Sequence, residues 1–124
     1  MNFDETPEFK KDVKRLKKRW RSIPDDIEAV KPYLLPLYEY RADDVEVSIY
    51  REGFFRGKRA TILKNTPAGE AIKMRLDVAD LGRNDTVRIV FVAIKTESTI
   101  QFIELYAKND KNREDTARIR KYLP

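Results

Sequence analysis

The hydrophobic period changes part-way along this chain of 124 residues, and that change restricts the fold more than any single motif. From Phe9 to Leu34 apolar residues recur three and four apart, the period of a helix with one buried stripe. From Ala71 onward they alternate or run together in β-branched stretches, as strands do. Helices followed by strands predict an α+β packing of layers rather than a parallel βαβ sheet.

Thr6-Pro7 is a helix start, because a threonine oxygen can cap free N–H groups and proline fits the first turn. Phe9, Val13, Leu16 and Trp20 then share a stripe, which predicts a helix over residues 7–21 with its lysines and arginines outside. Ser22-Ile23-Pro24 breaks it, and Ile27, Val30 and Leu34 mark a second helix that Pro36 helps to end. Pro32 predicts a kink or an early stop near Lys31. In segment 41–69, Val45, Val47 and Ile49 read as an irregular strand, and Gly53, Gly57 and Thr66-Pro67-Ala68-Gly69 as loop. Strands are predicted over 71–76, 86–94 and 99–107, with turns at 81–85 and 95–98, and Asn112 as the cap of a last helix reaching Leu123. The expectation is a single domain over residues 1–124. An N-terminal helix hairpin packs on one face of a twisted antiparallel sheet of three to four strands, with room for a short strand ahead of the first helix and a C-terminal helix at the end.

A hydrophobic fraction of 41% is enough for one core, and no stretch approaches the roughly 20 apolar residues of a membrane helix. The acidic start lacks the basic and then apolar pattern of a secretion signal, so a cytoplasmic location is expected. Zero cysteines and zero histidines exclude thiolate, disulfide and imidazole chemistry. No glycine-rich phosphate loop is present, and the adjacent pairs Asp25/Asp26, Asp43/Asp44 and Glu114/Asp115 point in different directions, so neither a cofactor nor a metal is expected. The net charge of +5 is unevenly spread. Lys10, Lys11, Lys14, Arg15, Lys17, Lys18, Arg19 and Arg21 form a basic block, and acids dominate between Asp25 and Val47. A cationic surface of this kind suits a polyanion such as RNA.

Strand alternation puts Lys73 and Arg75 on one face, opposite Ile72, Met74 and Leu76. Arg88 interrupts an apolar run, where a charge is costly unless paired or facing a cleft. Either Asp77, Asp80 or Glu104 neutralises it, or it joins Lys73 and Arg75 on a cationic sheet surface that binds phosphate. Lys108, Asn109 and Lys111 would extend that surface at its rim, and Lys14 and Lys18 offer further RNA contacts from the basic helix. Trp20, Phe91, Phe102 and Tyr106 fit a core, which leaves Phe54-Phe55 as the better base-stacking pair.

Residues 6–16 (TPEFKKDVKRL), 87–91 (VRIVF) and 103–111 (IELYAKNDK) together resemble the RelE/ParE toxin superfamily. The resemblance implies a RelE-like toxin of a type II toxin-antitoxin system, an mRNA interferase held inactive by a cognate antitoxin protein that covers the cationic sheet face. Once released, such a toxin enters the ribosomal A site and cuts messenger RNA without a metal, the 2′-hydroxyl attacking the adjacent phosphate. Lys73 and Arg75 would then be the paired basic residues, with Lys73 assisting deprotonation of the hydroxyl, and Arg88 the phosphate-stabilising arginine. Lys108 and Lys111 match the cationic turn, whereas Asn109 stands where some ribonuclease members carry arginine, and Tyr106 and Tyr122 are poor substitutes for a C-terminal acid or base. Two other readings stay open: a ParE-like inhibitor of DNA gyrase, and a non-catalytic basic RNA-binding module.

Overall fold

The computed structural model describes residues 1–38, 45–57, 59–82 and 85–124. Strand β1 (Asn2–Glu5) leads into helix α1 (Pro7–Lys17), with Thr6 capping it by accepting the Phe9 N–H at 3.2 Å. Helix α2 (Ile23–Leu34) and a short 3₁₀ turn at Leu35–Leu37 follow, then helix α3 (Val45–Arg56). Strands β2 (Ala60–Thr66), β3 (Gly69–Leu76), β4 (Val87–Ile94) and β5 (Thr99–Ala107) form a meander, and helix α4 (Thr116–Tyr122) ends the chain. The strand order is β1-β5-β4-β3-β2, with β1 parallel to β5 and the other pairs antiparallel.

The α+β class and the three C-terminal strands agree with the sequence pattern, but the sheet is five-stranded and mixed rather than antiparallel with three or four strands. Helices also cover both faces. On one, Phe9, Leu16, Ile23, Ile27 and Leu34 pack with Ile72, Ile89, Phe91 and Phe102. On the other, Val90, Val92, Ile103 and Tyr106 pack with Ile119 and Leu123. Strand β4 explains this arrangement: it is apolar on both sides, and fully burying each Val, Ile or Phe is worth about 1.5–3 kcal/mol, so an uncovered second face would forfeit that gain.

The largest departure falls on segment 41–69. Val45, Val47 and Ile49 begin a helix instead of a strand, and the loop expected after them contains strand β2. Tertiary contact decides the helix, because Arg51 reaches the fully buried Glu70 with N–O distances of 2.6 and 2.7 Å, and the Tyr38 hydroxyl donates to the same carboxylate at 2.8 Å. The loop signal at Thr66-Pro67-Ala68-Gly69 is the β2–β3 hairpin, where a Cβ on Gly69 would collide with the Ala93 carbonyl oxygen. Residues 39–44 and 58, including Asp43 and Asp44, lie outside the described residues, as do 83 and 84 of the turn expected at 81–85.

Smaller differences concern helix ends. Helix α1 stops at Lys17, with Trp20 still buried beyond it. Helix α2 runs through Pro32 to Leu34, because Leu34 and Leu37 are buried and hold the last turn in place. Asp25 and Asp26 occupy its first turn, as the helix dipole favours. Asp115 rather than Asn112 caps α4, accepting the Arg118 N–H at 3.1 Å, which leaves Glu114 outside the helix. Among the described residues no helix is long and apolar enough to cross a membrane.

Candidate nucleic-acid interface

The register of β3, β4 and β5 turns strand alternation into two rows on the face that α4 partly covers. Arg75 lies opposite Arg88, which lies opposite Tyr106; next to them, Lys73 lies opposite Val90, which lies opposite Glu104. The ladder shifts between Val90 and Phe91, so Ile103 and Glu104, though consecutive, both turn to this face.

Carboxylates neutralise the second row. The Lys73 ammonium sits 3.0 Å from Glu114, and Lys111 is ion-paired with the buried Glu104, whose other oxygen accepts the Asp115 N–H at 2.9 Å. Burial alone would raise the Glu114 carboxyl, but a backbone hydrogen bond and Lys73 outweigh it and hold it below the ordinary range. The first row has no such partners: among the described residues neither the Arg75 nor the Arg88 side chain makes a hydrogen bond or ion pair. The three carboxylates that could have neutralised Arg88 are engaged elsewhere. Asp77 pairs with Arg59, Asp80 accepts the Ser22 N–H at 2.9 Å, and Glu104 takes Lys111. Arg88 is half-buried and Arg75 exposed.

Tyr106, at the end of the arginine row, is buried, and its hydroxyl is pushed up to about 12 by burial and by the charges of Glu114 and Glu104, with Arg88 opposing. It is therefore a neutral hydrogen-bonding group at physiological pH and not a base. The cationic turn continues from β5: the Lys108 N–H donates to the Thr86 carbonyl at 2.7 Å and the Asn109 N–H to Asp85 at 3.1 Å, with both side chains exposed. Arg19 ties the end of the basic block to this turn, donating to Asp110 at 2.6 Å and to Asp85 at 3.5 Å.

The fold thus gathers Lys73, Arg75, Arg88, Lys108, Asn109 and Lys111 around one surface. Lys14 and Lys18 are exposed at α1, which packs on the opposite face, so they are not part of it. Phe54 and Phe55 pack against that opposite core with rings 5.1 Å apart, and Arg51 lies over Phe55, so both are structural side chains rather than a free stacking pair. Sequence reasoning missed Glu104 and Glu114 as the counter-charges of Lys111 and Lys73. Glu104 carried the signal that flagged Arg88, a charge inside an apolar run; Glu114 carried none. Among the described residues no group of carboxylates is placed to hold a metal ion. Comparison with protein-family models, with curated proteins and with solved structures finds no match to this chain.

Proposed function

We propose that the chain is a cytoplasmic RelE-like toxin of a type II toxin-antitoxin pair, an endoribonuclease that cuts messenger RNA on the ribosome and is held in check by a cognate antitoxin over its cationic sheet face. The observation that carries this reading is the uncompensated pair Arg75 and Arg88, directly opposite each other beside the turn of Lys108, Asn109 and Lys111. Two guanidinium groups without carboxylates have the shape and charge to take a phosphate by paired N–H bonds.

In this reading the 2′-oxygen of RNA bonds to the adjacent phosphorus, the 5′-oxygen of the next nucleotide leaves with a proton, and a cyclic phosphate remains. Arg88 and Arg75 stabilise the charge that develops on the phosphate oxygens. Lys73 supplies a cation that favours deprotonation of the attacking hydroxyl once RNA displaces Glu114 from it. Lys108 and Lys111 hold the strand by its backbone.

The test is controlled expression in a bacterium with growth and transcript 5′ ends recorded, beside Arg88→Ala. Growth arrest with new 5′ ends that vanish in the variant supports the ribonuclease. Arrest without cleavage points to gyrase, and harmless expression with salt-dependent RNA affinity to a non-catalytic binder.

A further inference from the structure

From Lys10 to Lys18 the chain carries six cations and a single acid. That acid, Asp12, is buried, where it accepts from Arg118 and the Leu105 N–H and also takes Arg15. Lys10, Lys11, Lys14, Lys17 and Lys18 are left. All five are exposed, and among the described residues none of their side chains makes a hydrogen bond or ion pair. Lys11, Lys14 and Lys18 recur three and four apart on the line opposite the buried Phe9, Asp12 and Leu16, with Lys10 and Lys17 beside it.

This array works against the helix that carries it. Lys10 with Lys14 and Lys14 with Lys18 are like charges four residues apart, a spacing at which they repel. The other helices pair such positions instead, Glu28 with Lys31 on α2 and Glu52 with Arg56 on α3. A local rule kept elsewhere in the chain and broken at one place marks a functional surface.

The side chains present select the occupant. No apolar residue shares this side of α1, because Phe9 and Leu16 are buried and Val13 packs on the core, so a membrane has nothing to take up. No aromatic ring is exposed on it for the bases of a single strand to stack on, since Trp20 too is buried. Protein interfaces are depleted in lysine, whereas phosphate contacts accept it as a point charge. A nucleic-acid duplex, with its bases turned inward and its phosphates outward, matches what remains.

We propose that the outer side of α1 binds the phosphate backbone of an RNA duplex without reading its sequence. Since α1 packs on the face of the sheet away from the Arg75–Arg88 row, this is a second RNA surface, separate from the one that takes the strand to be cut. The choice of RNA over DNA rests on the messenger-cleaving reading.

Fluorescence anisotropy of the full chain with a short blunt RNA duplex, a single-stranded RNA and a DNA duplex of the same sequence tests this across a salt series. Replacing Lys11, Lys14 and Lys18 together by Gln should weaken duplex RNA at least tenfold and lower its logarithmic salt slope by about 2.7, at about 0.9 for each lost contact to a duplex. Single-strand affinity should stay within threefold and the circular dichroism spectrum unchanged. Arginine at the same three positions should keep the parental slope. Parental duplex binding in Arg75→Gln supports a separate surface whatever that variant does to messenger RNA. The proposal is overturned by parental duplex affinity in the folded triple Gln variant, by duplex binding that is lost in Arg75→Gln, or by tighter binding of the DNA duplex than of the RNA duplex.

Discussion

Arg75 and Arg88 are direct cross-strand partners in the β3–β4 ladder, and among the described residues no carboxylate separates or neutralises them. Like charges directly opposite on a sheet destabilise it, by an amount on the order of 0.2–1 kcal/mol. Arg75→Gln should therefore raise the thermal stability of the chain by a fraction of about 1 kcal/mol while weakening RNA binding. It should also lower the salt dependence of affinity for single-stranded RNA by about 0.7 in logarithmic slope, the signature of one lost phosphate contact. Thermal melts and fluorescence anisotropy with a short RNA measure both quantities. A variant that melts lower than the parent, or that binds RNA with the parental slope, contradicts the assignment.

Glu114 sets the availability of Lys73, since the two groups are 3.0 Å apart and both are largely shielded from water. Glu114→Gln leaves the shape and removes the anion, so the freed ammonium should raise RNA affinity and steepen the salt dependence by about 0.7, one additional phosphate contact. Lys73→Ala should then cost more affinity in the Glu114→Gln background than in the parent. Equal costs in the two backgrounds would show that the ion pair does not regulate this surface.

What the sequence could reveal depended on the range of the interaction responsible. Strand β5 is legible to the residue, because Thr99 to Ala107 carries a continuous β-branched and aromatic pattern. The sharing of a face by Lys73 and Arg75 follows from alternation alone, whereas Arg88 joins them through the β3–β4 register that sets it opposite Arg75. Helix α3 was not legible. Tyr50 with Phe54 and Arg51 with Phe55 do recur at four-residue spacing, but Val45, Val47 and Ile49 suggest a strand, and the arbiter is a contact with Glu70, nineteen residues beyond Arg51. The counter-charge of Lys73 lies still further away, 41 residues along the chain, where no local pattern can point to it.

Asp12 offers a comparison of two ion pairs made by one carboxylate. Buried against β5, it accepts the Leu105 N–H at 3.1 Å and the Arg118 guanidinium at 2.6 Å, and Arg118 in turn donates to the Ile103 carbonyl at 3.0 Å beside the bulge. Its second partner, Arg15, is 59% exposed and 3.4 Å away. Asp12→Ala would orphan a buried N–H and a half-buried guanidinium and should cost about 3–5 kcal/mol. Arg15→Ala should cost about 0–1 kcal/mol. Urea unfolding of both variants tests the ranking, and similar midpoints would remove Asp12 as the pin between α1, β5 and α4.

The attachment of α4 to α1 should be sensitive to acid. Glu8 accepts the Tyr122 hydroxyl at 2.6 Å and the Lys121 ammonium at 2.9 Å, and these two partners, Tyr122 foremost, lower its carboxyl from 4.5 to about 2. A carboxylate lowered in the folded state contributes stability that is complete above its unfolded value. Below that value the unfolded chain binds the proton first, so the contribution declines as the pH falls. The window is therefore from about pH 4.5 down to about pH 2. Glu8→Gln resembles the protonated side chain, so the parent should melt above this variant at pH 6, and the two melting curves should converge as the pH falls through the window. A difference in melting temperature that stays constant from pH 6 to pH 2 would mean that the ionised carboxylate does not hold α4 in place.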